Sequence, residues 1–410
     1  MAGPVRHPID VAALERYLSE HVPEIELPLD VKQFGFGQSN PTYQLTSRAT
    51  GARYVLRKKP PGRLLSQSAH KVEREHRVIA ALWRGGTGVP VPRPYALCED
   101  AAVLGTPFYV MQFLDGRIFE DPYMRLDPTS SGKGKRGEEV PASERAALWR
   151  AAVETLARLH AVDREAVGLQ RYGKGEDGGF YARQVETWRR ICEAQARAVD
   201  AETGRAVGHL PHFEDLLAFF RDEAQQPGRS REPSGGGPRA TLVHGDYKID
   251  NLVFHPTEPR VIGILDWEMS TVGHPLSDLA NLLHPFYGAG PEISSGSTTA
   301  KEKDPVSVPE GLPTPSTIVA WYGAAAGWEV PEAEMAWATA FSVFRLSAIC
   351  QGIAARVATR QASSAEARRH AEAMGPLAER AWSMVVAAKA KAKSKGKGDK
   401  EEEGETKAKL

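Results

Sequence analysis

The chain has 410 residues, 41% hydrophobic and 25% charged, which gives room for two or three domains or one two-lobed domain. Lys+Arg and Asp+Glu both number 52, so no bulk charge directs it to nucleic acid or to an acidic membrane. Cys98, Cys192 and Cys350 form no C-x-x-C pair, which argues against a disulfide framework or a zinc site and for a reducing compartment.

The N-terminus, MAGPVRHPIDVAALERY, lacks the apolar core of a secretory signal, and residues 1–30 read as an extension. No apolar run approaches the ~20 residues of a membrane span. STIVAWYGAAAGW comes nearest, is too short and contains two glycines, so a soluble protein without a membrane span is expected. Residues 31–115 read as a unit of five strands. VKQFGFGQSNPTYQL supplies the first pair around a glycine turn, ATGAR turns the chain, and YVLRK follows. Alternation puts Val55 and Arg57 on one face of that strand and Lys58 on the other.

SAHKVEREHRVIAALW then switches to helical spacing. Val72, Ile79 and Leu82 share a face, and Glu75 lies on it while Glu73 points elsewhere. A carboxylate on the apolar side of a helix needs a cation from another element. VPVPRPYAL and TPFYVMQFL read as the last two strands, and Asp115-Gly116 ends the sheet.

Residues 116–387 read as mostly helical, with a stripe of Leu148, Ala152, Leu156 and Leu159 and further helices near 180–196, 211–226, 275–284, 315–327, 331–358 and 362–390. Polar, Gly/Ser-rich insertions near 130–139, 229–239 and 290–310 and a charged tail over 388–410 have nothing to bury and are expected to be mobile or disordered.

Two short strands, NLVF and VIGIL, break the helical half beside LVHGDYKIDNLVF. There His244-Gly-Asp246 is followed by Asn251 and later by Asp266 in ILDWE. Asp246 reads as a positioned general base for a hydroxyl proton. The Asn251 carbonyl and the Asp266 carboxylate, with phosphate oxygens, make the oxygen-rich set that Mg²⁺ prefers. This is the spacing of phosphoryl transfer in the protein-kinase class. As single residues, Asp and Asn in a loop more often cap turns.

The N-terminal half supplies the remaining parts of such a machine. Gly35 and Gly37 in FGFGQSN form a turn over phosphates, with Ser39 and Asn40 as donors. Arg57 and Glu75 form the cation–carboxylate pair that orients the α- and β-phosphates. Val55 lies beside it, and YVMQFLDG reads as a hinge that offers backbone groups of Gln112 and Leu114 to adenine.

GFGQSN, YVLRK, VEREHRVIAAL, VHGDYKIDNLVF and ILDWEMSTVGHPLSDLA together resemble the aminoglycoside phosphotransferase/choline kinase-like superfamily over about residues 30 to 385. H-G-D and D-W-E place the chain on the small-molecule side of the kinase fold. Within that superfamily it is most similar to the phosphotransferase domain found ahead of some acyl-CoA dehydrogenases. The resemblance implies an α+β, two-lobed protein kinase-like fold with a small antiparallel-sheet lobe and a larger helical lobe. It also implies ATP with Mg²⁺, and a hydroxyacyl-CoA as the alcohol that accepts phosphate. An amino alcohol, sugar or fructosamine-type acceptor is the alternative, and a nucleotide-binding pseudokinase scaffold is the rival from another class.

Many relatives carry Lys at the strand position of Arg57, so Arg57 and Lys58 both stand as the phosphate contact. Asp278 and His244 read as braces of the catalytic loop, and His160 as a core histidine. Lys248 is either a γ-phosphate contact or a surface lysine. Trp267 and Glu268 are expected to face the acceptor, and Trp321, Trp328 and Trp337 to be core. The final Ala-Lys-Leu is similar to the S-K-L peroxisome address, which implies a peroxisomal import receptor as a partner.

Overall fold

The computed structural model describes residues 2–35, 40–60, 71–126, 139–173, 179–228, 240–287, 309–362 and 366–408. Gly37, Ser39, Lys409 and Leu410 lie outside the described residues, as do nearly all residues of the three polar insertions.

The small lobe is a six-stranded antiparallel sheet of β1 (Ala2–Gly3), β2 (Leu29–Phe34), β3 (Thr42–Ser47), β4 (Arg53–Lys58), β5 (Pro94–Cys98) and β6 (Phe108–Gln112) in the order β1-β2-β3-β4-β6-β5. Three helices accompany it: α1 (Val11–His21), α2 (Val72–Arg84) and the short α3 (Ala101–Leu104). Period-two alternation divides the sheet between two cores. Leu45, Leu56, Phe108 and Val110 point to one face and bury Leu14 and Leu18 of α1. Val55, Tyr109 and Met111 point to the other, where Val72, Val78, Ile79 and Leu82 of α2 join the core of the large lobe.

Residues 2–30, read from the sequence as an extension, pack into the lobe. β1 pairs with the end of β2, and α1 supplies a wall of its core. Asp10 starts α1 by accepting the Ala13 N–H at 2.9 Å. α2 carries Glu73 and Glu75 in its first turn and Arg84 in its last, the charge order that its dipole favours.

The large lobe contains α4 (Ala142–His160), α5 (Phe180–Ala196), α6 (Phe213–Arg221), β7 (Thr241–Val243), β8 (Leu252–Phe254), β9 (Val261–Ile264), β10 (Thr271–Gly273), α7 (Leu276–Leu282) and α8 (His284–Tyr287). Four more helices complete its described part: α9 (Pro315–Ala326), α10 (Glu332–Ala358), α11 (Ala367–Glu372) and α12 (Met374–Ala408). β7 pairs with β10 and β8 with β9, two small sheets whose edges frame the loop over 244–251. Tyr181, Phe220, Trp337 and Phe341 interlock nearby, with the Tyr181–Trp337 rings 4.7 Å apart and edge-on.

Two expectations change here. The charged tail continues α12 to Ala408, because Ala, Lys and Glu are strong helix formers and extending an existing helix avoids the cost of nucleation. α10 is long and apolar enough by length and composition to cross a membrane, yet 61% of its apolar window is buried against the rest of the protein. Its sequence escapes a search for unbroken apolar runs because Arg345 and Gln351 interrupt it.

Candidate active site

The loop after β7 is held by one carboxylate. Asp278, on α7 and fully buried, accepts the backbone N–H of His244 at 2.6 Å and of Gly245 at 2.8 Å. His160 Nε2 lies 3.3 Å from the same carboxylate, and His160 Nδ1 is 2.8 Å from the Tyr322 hydroxyl. Burial pushes the Asp278 carboxyl up, but its hydrogen bonds with His160 and with the His244 backbone outweigh it and hold it below its usual range. The chain can turn this sharply because Gly245 has φ +85°. A Cβ there would stand 2.4 Å from the Met269 carbonyl oxygen.

His244 braces the loop from within. Its Nε2 is 2.9 Å from the Leu265 carbonyl, while Nδ1 accepts the Asp246 N–H at 3.3 Å, so the ring is the neutral tautomer with the proton on Nε2. Trp267 packs edge-on against that ring at 4.7 Å and donates to the Ile264 carbonyl. Tyr247 fastens the loop to α4 through a 2.7 Å bond to the Ala152 carbonyl.

Asp246 projects from this frame with 37% of its side chain exposed. Asn251 donates to its backbone carbonyl at 2.8 Å and to Oδ2 at 3.1 Å, and Asn281 of α7 reaches Oδ1 at 3.3 Å. With its amide nitrogen used inward, Asn251 keeps its carbonyl oxygen for another ligand. Lys248 lies between Asp250 at 3.1 Å and Asp246 at 3.7 Å. Burial lowers its pKa, but those two carboxylates outweigh that and raise it overall.

Asp266 closes the set from the turn after β9, at φ +66°. Its Oδ1 is 2.7 Å from Arg57 Nη2, which also stands 3.6 Å from Glu268, while Arg57 Nε lies 3.2 Å from Glu75. The Glu75 contact is an ion pair without a linear hydrogen bond, since Arg57 Nε lacks an aligned acceptor. One guanidinium thus serves three carboxylates. Burial opposes its charge, but Glu75, Tyr109 and Asp266 outweigh burial and raise its pKa. Glu75, buried and bonded to Tyr109, is pushed up to about 7 by burial, against the pull of Arg57 and with Asp266 and Glu268 adding to the rise. The guanidinium is the secure partner of the pair, and the carboxylate is the one whose charge is contested. Lys58 is buried on the opposite face of β4, where burial lowers its pKa, so the site's strand cation is Arg57.

The other expected site residues fall as follows. Val55 lines the face shared with Arg57 and is buried. Gly35 follows β2. Asn40 was expected to donate to phosphate, yet its amide points to Glu75 at 3.1 Å and Glu268 at 3.5 Å, because both acceptors lie inside the cleft. Gln112 gives its N–H to the Arg93 carbonyl at 2.8 Å, so that donor is spent on the sheet and not offered to adenine. Leu114 lies just past β6, and its side chain covers Gly263, where a Cβ would stand 2.0 Å from Leu114 Cδ1. Trp267 is core, and Glu268 points to Arg57 and Asn40. Trp337 is buried, and Trp321 and Trp328 pack partly buried on the same core.

Among the described residues no group of three His, Cys, Asp or Glu side chains forms a closed metal cage. The Asn251 carbonyl with the Asp266 carboxylate fits Mg²⁺, which takes few protein ligands and completes its shell with water and phosphate oxygens. The carboxylates Glu75, Asp266, Glu268, Asp246 and Asp250 outnumber Arg57 and Lys248, the cations that pair with them. Polyphosphate needs an accompanying cation to enter such a field.

An antiparallel sheet lobe over a helical lobe, with a braced Asp and a metal-type Asn/Asp pair between them, defines a kinase-fold phosphotransferase. The Phosphotransferase enzyme family model matches residues 30–300, and the chain belongs to that family. It is 38% identical over 380 residues to acyl-CoA dehydrogenase family member 11 of Rattus norvegicus, covering 91% of this chain and 43% of that protein. It is 37% identical over 373 residues to a probable acyl-CoA dehydrogenase of Arabidopsis thaliana, covering 89% and 41%. The chain thus spans less than half the length of these curated relatives. A crystal structure provisionally named an aminoglycoside phosphotransferase, from Ralstonia eutropha, superposes with a TM-score of 0.71 at 34% identity, covering 93% of this chain and 99% of that one. The protein is a small-molecule phosphotransferase.

Proposed function

We propose that the protein transfers the γ-phosphoryl group of ATP, with Mg²⁺, to the hydroxyl of a hydroxyacyl-CoA. The observation that supports this most is the setting of Asp246. The backbone of the two residues before it is clamped by Asp278 and its carboxylate is aimed by Asn251 and Asn281, yet it reaches the cleft. A carboxylate so placed accepts the acceptor hydroxyl's proton as the oxygen attacks phosphorus. Asn251 and Asp266 would hold Mg²⁺, which when bound neutralises phosphate charge. Arg57, oriented by Glu75, takes phosphate oxygens in a fixed fork, and Lys248 stands next to the base to meet charge on the transferred group. The acyl-CoA choice is supported by the names of the relatives, not by a site feature.

Incubation with ATP, Mg²⁺ and a set of hydroxyacyl-CoA thioesters, beside amino alcohols and sugars, tests this through ADP release. Release that depends on a thioester is expected. Release only with amino alcohols or sugars would overturn the acceptor class while keeping the reaction. We also propose that the terminal Ala-Lys-Leu is a peroxisomal address. Its removal should move a tagged protein to the cytosol, and unchanged distribution would refute it.

A further inference from the structure

Arg345 stands on α10, the helix that packs against α5, α7 and α8, and α7 reaches Asp246 through Asn281. α7 carries Asp278 and Asn281, the two residues that hold the Asp246 loop. α8 begins with His284, whose Nε2 is bonded to Ser342, one turn before Arg345 on α10. Burial lowers the Arg345 pKa, and Asp246, Asp278 and Tyr181 of α5 act against that fall. The guanidinium carbon lies 5.7 Å from the Trp188 ring, also on α5.

What sets Arg345 apart is the lack of an ion pair among the described residues. Its Nε is buried without a hydrogen bond, and among the described residues no carboxylate pairs with it. Other arginines of the interior are anchored by ion pairs or carbonyls even where one of their nitrogens has no bond: Arg57 pairs with Glu75 and Asp266, Arg117 bonds Glu144, and Arg145 bonds the carbonyls of Met124 and Val140. The Tyr181 hydroxyl is likewise buried without a partner. His284 brings no charge, because burial, helped by Arg345, pushes its pKa down to about 4. A partly buried guanidinium with a sealed, unbonded Nε, coupled to Asp246 and to an unpartnered Tyr181 hydroxyl, is completed when a ligand oxygen bonds both.

We propose that Arg345 is an acceptor-binding residue that takes the acyl oxygen of the alcohol to be phosphorylated, and so selects oxygen-rich acceptors over ammonium alcohols. Tyr181 is placed to donate a second bond to the same group. This rests on the phosphotransfer reading above but adds the specificity element: a cationic acceptor would bring its charge against Arg345 and so bind less tightly. A charge-assisted bond of this kind corresponds to roughly 10- to 100-fold in affinity.

The test compares wild type, R345M and R345K with β-hydroxybutyrate, its CoA thioester, butanediol and aminobutanol. Binding is measured by calorimetry with a non-hydrolysable ATP analogue and Mg²⁺, and turnover by ADP release. Wild type is expected to bind one acyl probe at least about 10-fold more tightly than aminobutanol. R345M should raise KM and Kd for that probe roughly 10- to 100-fold, with kcat and butanediol binding changed little, and R345K should recover part of the loss. The free acid and the thioester distinguish a carboxylate from a thioester carbonyl as the bound oxygen. Preference of the wild type for aminobutanol, no acyl binding at all, or acyl binding that ignores R345M overturns the inference. Arg345-dependent binding without turnover keeps it and instead refutes phosphotransfer to that acyl class.

Discussion

Replacing Asp278 by Asn keeps the shape of the residue at the centre of the catalytic frame and removes one of its acceptors. In the native protein one oxygen receives the His244 N–H and faces His160, while the other receives the Gly245 N–H. An amide that keeps the first set must turn its NH₂ toward Gly245, so a donor meets a donor. One charge-assisted bond is lost, at about 1.5–3 kcal/mol, and the surviving ones weaken, so about 2–4 kcal/mol is expected from a total of about 5–15 kcal/mol. The loop also carries Asp246, and a displacement of about 1 Å at a reacting group costs on the order of 10²-fold in turnover.

The variant has a pH signature as well. The Asp278 carboxyl is held below its usual range, so its contribution is present above the unfolded value of about 3.9 and lost as pH falls below it. Urea unfolding between about pH 3 and 7 should show a lower midpoint in the variant and a flatter acid limb, with kcat down alongside. Wild-type midpoint and wild-type kcat together would refute the clamp. So would an acid limb as steep as the native one.

Asp246→Asn should lower kcat by roughly 10²–10⁴-fold while nucleotide affinity, read by calorimetry, stays near wild type; unchanged turnover would end the general-base assignment. Glu75 has a folded pKa raised to about 7, so the folded protein holds a proton that the unfolded chain releases, and stability rises as pH falls from there toward about 4.5. Glu75→Gln should flatten melting temperature over that window, and a wild type already flat there contradicts the assignment. Gly245→Ala forces a Cβ at φ +85° against the Met269 carbonyl and should cost at least about 2 kcal/mol in urea unfolding, with an undisturbed midpoint as the contrary result.

What could be read beforehand was what local periodicity and short spacing encode. Alternation along YVLRK put Arg57 and Val55 on one face, and helical spacing put Glu75 inward; the structure has Arg57 Nε 3.2 Å from Glu75. H-G-D-x-x-x-x-N brought Asp246 and Asn251 together because five residues are one tight turn. Partners fixed by long-range packing were not legible. Asn40 and Glu268 meet across 228 residues, so the direction of that amide follows from lobe closure and not from its neighbours. Asn281 was recoverable, since it lies three residues after Asp278 and therefore on the same helix face. Arg345 was not, because a single cation inside an apolar helix reads the same whether it snorkels to water or lines a pocket. The N-terminal helix was missed for a related reason: Leu14 and Leu18 gain a core only when the sheet is there to receive them.

Arg57 is already engaged by Asp266 and Glu268 of the large lobe and Glu75 of the small one. Any phosphate oxygen it takes is therefore taken by substitution, with one ion pair surrendered for another. The net gain from that contact is a difference between two strong terms and is small, so nucleotide affinity must be supplied elsewhere in the cleft. On the proposed function the same substitution would free the Asp266 carboxylate, so that delivery of the phosphates and release of a carboxylate for Mg²⁺ would be a single event, with Arg57 as the part that changes hands.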